Sequence, residues 1–222
     1  MPYTFIFMRW LFILLVSAIA FSVFTIFEVS KDNAFLKNIP HADRRPIFPR
    51  KHATTLARLR LYVDDAHAFT IKNNFNNSFC FLVDMKQASG KKRFFIYDLK
   101  NDSIIQSGLV THGYGMNTSN GGITYSNEAG SYCTSPGKYK TGKAYYGKFG
   151  LSYKLHGLEN TNSNALKRFV VLHAHPCVPD DEVAPQKICM SQGCPTVSPA
   201  FLQQLKPYID HSDKPVLLWI LP

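Results

Sequence analysis

The chain has 222 residues, which is enough for one catalytic-sized domain or two small ones. Hydrophobic residues make up 45% and aromatic residues 14%. This composition excludes a disordered protein, because it gives the chain ample apolar surface to bury. The 25 Lys and Arg against 15 Asp and Glu give a net charge of +10, and 5 cysteines are too few for a disulfide scaffold.

The N-terminal segment is long and apolar enough to cross a membrane. Residues 10–27 carry no charged side chain, and a bilayer core takes roughly 17–25 such residues. Ala18-Ile-Ala20 has the small-x-small form of a signal-peptidase site, whereas the apolar run continues to Phe27 and favours an uncleaved anchor. We therefore predict a signal peptide or a signal anchor over residues 1–27, with both alternatives open.

Basic residues after this segment conflict with export. These residues are Lys31, Lys37, Arg44 and Arg45. The positive-inside rule would place this flank of the apolar segment in the cytoplasm. Residues 28–52 are predicted to be a linker, because prolines and basic residues leave no periodic apolar face. We still predict export, for the chemical reasons that follow.

The remaining chain predicts a mainly β domain with flanking helices over residues 53–222. A helix is predicted from Ala53 to about Lys72, because buried-type side chains recur there at helical spacing: Leu56, Leu59, Val63, Ala66 and Thr70. Runs rich in Phe, Val, Ile and Tyr predict strands at 79–85, 93–99, 103–111, 169–173 and 216–220. Residues 112–150 are predicted to be loops with short strands. Ser198-Pro199 predicts a helix N-cap, and hence a helix to about Ile209.

Reactive side chains are concentrated between His173 and Cys194. One interpretation is nucleophilic catalysis, since a thiol with an ordinary pKa of about 8.5 needs a neighbouring imidazole to take its proton. Gly193 directly precedes Cys194, so the backbone can turn sharply and main-chain N–H groups can form an oxyanion hole. His173 ends an apolar run, where a strand would place it beside a groove.

Two alternatives use the same segment. The first is a zinc site, because His and Cys suit Zn²⁺ and five of them lie close together: His173, His175, Cys177, Cys189 and Cys194. Their spacing matches no finger or ribbon pattern. The second is a disulfide between Cys177 and Cys189 with the histidines as polar surface residues, which suits an exported protein and leaves Cys194 free to react.

Several ordered motifs resemble one known family. Ser191-x-Gly193-Cys194, preceded by an apolar strand that ends in His173, is similar to the L,D-transpeptidase (YkuD-like) signature. Upstream motifs resemble the murein L,D-transpeptidase catalytic-domain branch: Val110-Thr-His112-Gly113, Tyr125-Ser-Asn127, Ser135-Pro-Gly137-Lys-Tyr139 and Leu155-His-Gly157-Leu158-Glu159. The resemblance covers about residues 79–222. It departs from better-known members at Met190, Gln192 and Pro195.

The resemblance implies a mixed β-sheet or sandwich domain and a cysteine acyl-enzyme formed with peptidoglycan stem peptides. Cys194 would be the nucleophile and His173 its general base, oriented by the Ala174 carbonyl. The N–H groups of Gly193 and Cys194 would hold the oxyanion, with Ser191 in support. No metal or organic cofactor is expected.

Further residues are candidates for substrate binding. His112, beside Gly113, either lines the groove or simply ends a strand, and both readings stay open. Strand alternation would put His175 on the same face as His173. Five lysines without an acid indicate a solvated loop face or attraction to wall carboxylates or anionic lipids: Lys138, Lys140, Lys143, Lys148 and Lys154.

The predicted protein is a membrane-anchored L,D-transpeptidase of the bacterial cell envelope, on the periplasmic or extracytoplasmic side. Its partners would be peptidoglycan stem peptides and the inner membrane. Hydrolysis of the same acyl-enzyme would make it an L,D-carboxypeptidase. A zinc-dependent cell-wall peptidase and a non-catalytic wall-binding module are the rival interpretations. No nucleic-acid partner is predicted, because no recognition motif accompanies the basic charge.

Overall fold

The computed structural model describes residues 50–115 and 122–222. The predicted signal segment, residues 1–27, and nearly all of the predicted linker, residues 28–52, lie outside these ranges. Within the described ranges, no helix is both long and apolar enough to cross a membrane.

The described chain forms two helices and eight strands, which confirms the predicted fold class of a mainly β domain with flanking helices. In chain order they are α1 (Arg50–Lys72), β1 (Phe79–Asp84), β2 (Phe94–Asp98), β3 (Ser103–Gly108), β4 (Gly137–Gly147), β5 (Gly150–Gly157), β6 (Val171–Ala174), β7 (Thr196–Val197), α2 (Pro199–Asp210) and β8 (Leu217–Leu221). Both predicted helices and the five predicted strands are present, with ends shifted by a few residues.

The strands form one mixed sheet with the order β3-β2-β1-β8-β4-β5-β6-β7. Two pairs are parallel, β1 with β8 and β6 with β7, and the others are antiparallel. The β6–β7 register places His173 opposite Thr196. Because Cys194 lies two residues before Thr196, this register brings the sequence-predicted thiol and imidazole to the same sheet edge.

One face of the sheet is covered by α1. The predicted apolar face of this helix is buried, with Leu59, Ala66 and Thr70 fully enclosed. Leu59 and Ala66 pack in a cluster with Leu82 and Leu217 from the central strands. Full burial of one leucine contributes about 1.5–3 kcal/mol. The apolar face therefore stabilises the helix on the sheet, and this face is the feature that the helical periodicity of the sequence predicts.

The other face is covered by α2. Its predicted N-cap is confirmed, because the Ser198 side-chain oxygen accepts a hydrogen bond from the Phe201 N–H at 3.1 Å. Phe201 and Leu205 pack in the main core cluster with Phe81 and Tyr139. Since Ser198 directly follows β7, the capped helix anchors the strand that carries Thr196.

The hairpin of β4 and β5 corrects the prediction of loops with short strands over residues 112–150. β4 is an 11-residue strand that pairs with β8 on one side and β5 on the other. A register irregularity between Thr141 and Ala144 bends it. Its glycines and lysines read as loop residues, but pairing with a strand more than 70 residues further along the chain holds the backbone extended: the Thr141 N–H donates to the Val216 carbonyl at 3.1 Å.

Lys138 also departs from the predicted solvated lysine face. Its side chain is buried at 8% exposure, and its ammonium lies 3.0 Å from an Asp65 carboxylate oxygen and 3.3 Å from one of Glu159. The same ammonium lies 3.8 Å from the centroid of the Trp219 ring. Lys138 therefore ties α1 to the sheet, whereas the other four lysines of that group are at least partly exposed.

Candidate active site

The turn that carries Cys194 is tied together by its own polar groups. The Ser191 hydroxyl donates to the Cys194 carbonyl at 2.6 Å and accepts the Gly193 N–H at 3.1 Å. Gly193 has a φ of +108°, and a Cβ there would lie 2.6 Å from the Cys133 carbonyl oxygen. Only glycine fits this left-handed, crowded position, so the residue before the thiol has a structural reason to be glycine.

The Cys194 thiol is partly exposed and opens onto a cavity of about 690 Å³. Its sulfur lies 3.8 Å from the Phe169 carbonyl oxygen. Burial raises the pKa of the Cys194 thiol above its ordinary value, while the Val171 N–H and the Arg168 charge act in the lowering direction. Since the first cause is the largest, the resting side chain is a neutral thiol.

The His173 imidazole is buried and held at both nitrogens. Its Nδ1–H donates to the Ala174 carbonyl at 3.1 Å, which leaves the lone pair on Nε2. Nε2 lies 3.0 Å from the Thr196 hydroxyl oxygen. Burial lowers the pKa of His173; the Ala174 hydrogen bond raises it, and the charge of His175 lowers it further. The resting imidazole is therefore neutral, with its basic nitrogen at Nε2.

Cys194 and His173 line the same cavity, but no hydrogen bond joins their side chains in this structure. The thiol is directed at Phe169 and Nε2 at Thr196. Catalytic hydrogen bonds are often absent without substrate and form in the complex.

Aromatic and basic side chains surround the cavity. The Phe149 ring stacks on the His173 imidazole with centroids 4.2 Å apart. Phe169 is 84% exposed beside the thiol, with a φ of +56°. Much of the remaining cavity wall is formed by six residues: His175, Lys148, Lys167, Tyr114, Tyr132 and Met190. Among the described residues that line it there is no carboxylate, so the cavity favours an anionic ligand.

His112 and Gly113 are not among the residues that line this cavity. The Arg93 guanidinium donates to the His112 Nδ1 at 2.9 Å, and burial, Arg93 and a nearby lysine lower the pKa of His112 to about 4. The backbone of this segment supports the turn that carries Cys194 instead, since the Ser191 N–H donates to the His112 carbonyl at 2.9 Å. The substrate-binding role of both residues stays a prediction, whereas His175, the third candidate, does line the cavity.

Sequence reasoning gave no role to Arg168, whose guanidinium lies close to Gly193 and binds the neighbouring loop. Its guanidinium donates to the Ser126 carbonyl at 2.8 Å and the Cys133 carbonyl at 2.6 Å, and it also contacts the Ser135 hydroxyl. Which carbonyls it binds depends on the tertiary fold, so no local sequence signal indicates this role. Phe149 and Thr196 were missed for the same reason.

Cys177 and Cys189 form a disulfide, which decides between two of the alternatives left open by the sequence. The bond removes both sulfurs from the five ligands of the suggested zinc site. Across residues 50–115 and 122–222, no group of three or more His, Cys, Asp or Glu side chains could hold a metal ion. Of the free cysteines, Cys80 and Cys133 are buried, and burial raises the pKa of Cys80 to about 12. Cys194 is the free thiol open to a ligand.

Comparison with protein families identifies the class of this domain. The model of the L,D-transpeptidase catalytic domain matches residues 52–218, which is most of the chain. The protein therefore belongs to the L,D-transpeptidase catalytic-domain family and is an enzyme, as the resemblance of its motifs predicted. A search of curated proteins finds no match to the chain.

The solved structures that resemble this chain share little sequence identity with it. An L,D-transpeptidase from Xylanimonas cellulosilytica DSM 15894 is 12% identical with a TM-score of 0.40, over 69% of this chain and 68% of that one. The helical cell shape determining protein Pgp2 from Campylobacter jejuni is 14% identical with a TM-score of 0.39, over 64% and 47%. An L,D-transpeptidase from Mycobacterium smegmatis is 10% identical with a TM-score of 0.39, over 65% and 59%. The chain thus spans about half to two thirds of the length of these proteins.

Proposed function

We propose that this enzyme is a cysteine L,D-transpeptidase that cross-links peptidoglycan stem peptides through an acyl-enzyme on Cys194. The observation that carries the proposal is that the partly exposed free thiol of the described chain shares a cavity with a neutral imidazole whose basic nitrogen is unprotonated. Peptidoglycan lies outside the cytoplasmic membrane. The enzyme would therefore act on the extracytoplasmic side, with residues 1–27 as its export signal or membrane anchor.

The reaction begins with activation of the thiol by His173. The Ala174 carbonyl fixes the Nδ1–H, so Nε2 is the nitrogen that accepts a proton. When the acyl donor binds, the Cys194 side chain turns from Phe169 towards Nε2. The thiol proton passes to Nε2 and the sulfur keeps the electron pair of the S–H bond. Because both groups are neutral at rest, this transfer belongs to the acylation step itself.

Acylation follows at the carbonyl between a diaminopimelate-like residue and a D-alanine. A carbon–sulfur bond forms and negative charge moves to the carbonyl oxygen. The Gly193 N–H already donates to the Ser191 hydroxyl, so the Cys194 N–H is the better placed main-chain donor for this oxyanion. Collapse of the intermediate breaks the carbon–nitrogen bond, and the departing D-alanine amine takes the proton from Nε2.

The second half-reaction decides the product. An amine of another stem peptide attacks the thioester, forms an amide and returns the thiol. Water in place of the amine would make the enzyme an L,D-carboxypeptidase. We favour the amine because the family of this domain is the L,D-transpeptidase catalytic domain, and product analysis distinguishes the two outcomes. Exposed Lys148 and Lys167 at the cavity would attract the carboxylates of stem peptides.

Covalent labelling with a carbapenem tests the nucleophile. The strained amide of the drug should acylate Cys194, and mass spectrometry of the full chain should show the added mass on the Cys194 peptide. Cys194→Ser is the matched control and should gain no mass. Cys133→Ser should still gain the mass at Cys194, because Cys133 is buried and is not the expected target. A folded wild-type protein that gains no mass at Cys194 would contradict the proposal.

Product analysis then separates the related activities. A stem tetrapeptide incubated with a labelled amine acceptor should give the labelled amide as the main product, and free tripeptide as the minor one. Tripeptide as the sole product would instead identify the carboxypeptidase. Activity that is lost to a chelator but survives thiol alkylation would indicate the zinc peptidase. Sacculus binding without any turnover would leave only the wall-binding module.

A further inference from the structure

The Thr196 hydroxyl lies between the predicted base and the catalytic turn. Its oxygen is 3.0 Å from His173 Nε2 and 3.5 Å from the Cys194 carbonyl oxygen. The side chain is buried, at 3% exposure. Its backbone is held on both sides, because the Thr196 N–H donates to the Thr111 hydroxyl at 3.1 Å and the Thr111 N–H donates to the Thr196 carbonyl at 2.9 Å.

A hydroxyl group in this position can serve an imidazole in either protonation state, because it carries one hydrogen and two lone pairs. Towards the neutral ring, the Thr196 hydroxyl donates its hydrogen to Nε2. Towards the imidazolium, Nε2–H donates to the hydroxyl oxygen, and the hydroxyl hydrogen turns to the Cys194 carbonyl. A buried imidazolium without such an acceptor would be strongly disfavoured.

We propose that Thr196 is a positioning residue that hydrogen-bonds His173 in both protonation states and so stabilises the imidazolium formed when Cys194 is deprotonated. The thiol proton ends on Nε2, the sulfur keeps the electron pair, and Thr196 neither gains nor loses a proton. The proposal rests on the proposed function of the Cys194–His173 pair. It assigns to the second residue after the cysteine a role that depends on the β6–β7 register.

Several charged or titratable groups border this pair. His175 directly follows β6, the strand that carries His173, and its charge acts on the ring. The charge of Arg168, which lies close to Gly193, acts on the thiol, and Lys148 lies on the hairpin turn beside Phe149. None of them contacts Nε2, whose hydrogen-bond partner in the described structure is the Thr196 hydroxyl. A substitution at Thr196 therefore changes the polar environment of this one nitrogen.

Alkylation of Cys194 by iodoacetamide, followed by mass spectrometry of its peptide, gives a specific readout in Thr196→Val, which keeps the shape and removes the hydroxyl. At pH 7 the reaction needs the thiolate–imidazolium state, so we expect it to slow by about 10- to 100-fold. At about pH 10 hydroxide removes the thiol proton while the imidazole is neutral, so the rate should stay within a few-fold of wild type. The steady-state kcat/KM for a stem peptide should fall with the rate at pH 7.

Two further variants separate positioning from packing. Thr196→Ser restores the hydroxyl and should recover most of the rate at pH 7. Thr70→Val removes another buried hydroxyl, which donates to the His67 carbonyl at 2.8 Å on α1 and does not contact the imidazole, so its ratio of neutral to alkaline rate should match wild type. If Thr196→Val does not fold, Thr196→Ala replaces it in the same comparison.

An unchanged ratio of neutral to alkaline rate in Thr196→Val would overturn the proposal, as would a Thr196→Ser enzyme as slow as Thr196→Val. This failure is distinct from failure of the proposed function. In the first case, wild-type Cys194 is still acylated by a carbapenem. In the second, the wild-type protein is not labelled at all.

Discussion

Removal of the Cys177–Cys189 disulfide should destabilise the domain by a calculable amount. The bond closes a loop with a sequence separation of 12 residues. The loss of chain entropy in the unfolded state for a loop of this length corresponds to about 3 kcal/mol at 25 °C. In the double variant Cys177→Ser/Cys189→Ser we therefore expect the free energy of unfolding to fall by about 3 kcal/mol, and the Tm by about 6–12 °C for a domain of this size.

The same variant should remain acylatable, because the turn that carries Cys194 has other anchors. Val178 and Ile188 from the disulfide loop stay packed on Leu109, in a small cluster of their own. Ser191 is held separately, since its N–H donates to the His112 carbonyl and its carbonyl accepts the Tyr114 N–H, both at 2.9 Å. At 25 °C, well below the Tm, we expect the carbapenem to acylate the double variant within a few-fold of the wild-type rate.

Urea denaturation followed by tryptophan fluorescence measures the stability, with mass spectrometry for the acylation rate. Reductant should lower the stability of the wild-type protein to that of the double variant and should leave the double variant unchanged, which is the matched control. A loss of less than about 1 kcal/mol would refute the loop-entropy estimate. Acylation as weak as in Cys194→Ser would refute the independent anchoring of the turn.

Three further predictions follow from the geometry and the charges. Wild-type Cys194 should be alkylated much more slowly at pH 6 than at pH 10, because burial raises its pKa and lowers that of His173; equal rates would indicate a permanent thiolate–imidazolium pair. Gly193→Ala should abolish acylation and lower the free energy of unfolding by at least about 1–3 kcal/mol, because its Cβ would add a clash to the strain of φ +108°. The control is Gly150→Ala, at φ +70° in open space, which should keep acylation in the same thermal-melt and labelling assays. His112→Asn should reduce the loss of stability in acid. The folded-state pKa of His112, about 4, lies below the unfolded value of 6.5, so its contribution to the free energy of unfolding is complete above pH 6.5 and falls by about 3 kcal/mol as the pH drops from 6.5 through 4. Urea titrations in which the two proteins lose stability in parallel would contradict this.

The elements that the sequence predicted well are those whose signal is local. The buried stripe of α1 is a periodicity within one segment, and Ser198 caps α2 from the adjacent position. The β4–β5 hairpin has no such signal, because its lysines and glycines are compatible with a loop until β8 pairs with it. The burial of Lys138 follows from the same pairing, since its carboxylate partners come from α1 and from beyond β5.

The site divides in a similar way. Cys194 and His173 could be proposed as a reactive pair because a recognisable motif surrounds them, and the structure places both at one cavity. Thr196 and Phe149 are ordinary residue types, and their relevance arises from contacts with the imidazole that only the strand register and the hairpin create. The sequence also could not assign the disulfide uniquely, since zinc ligation used the same cysteines.

His112 illustrates a different limit of sequence reasoning. Its place in a recognised motif, beside Gly113, suggested a side chain in the substrate groove. The structure uses the main chain there: the His112 carbonyl accepts the Ser191 N–H, and a Cβ at Gly113 would lie 2.2 Å from the Tyr132 carbonyl oxygen. Motif residues can thus support the Cys194 turn through backbone atoms and close approach, for which side-chain chemistry carries no signal. Since asparagine can offer its amide oxygen to the donor that now faces the His112 ring, His112→Asn should keep wild-type acylation at pH 7, and a large loss there would instead place the imidazole in the reaction.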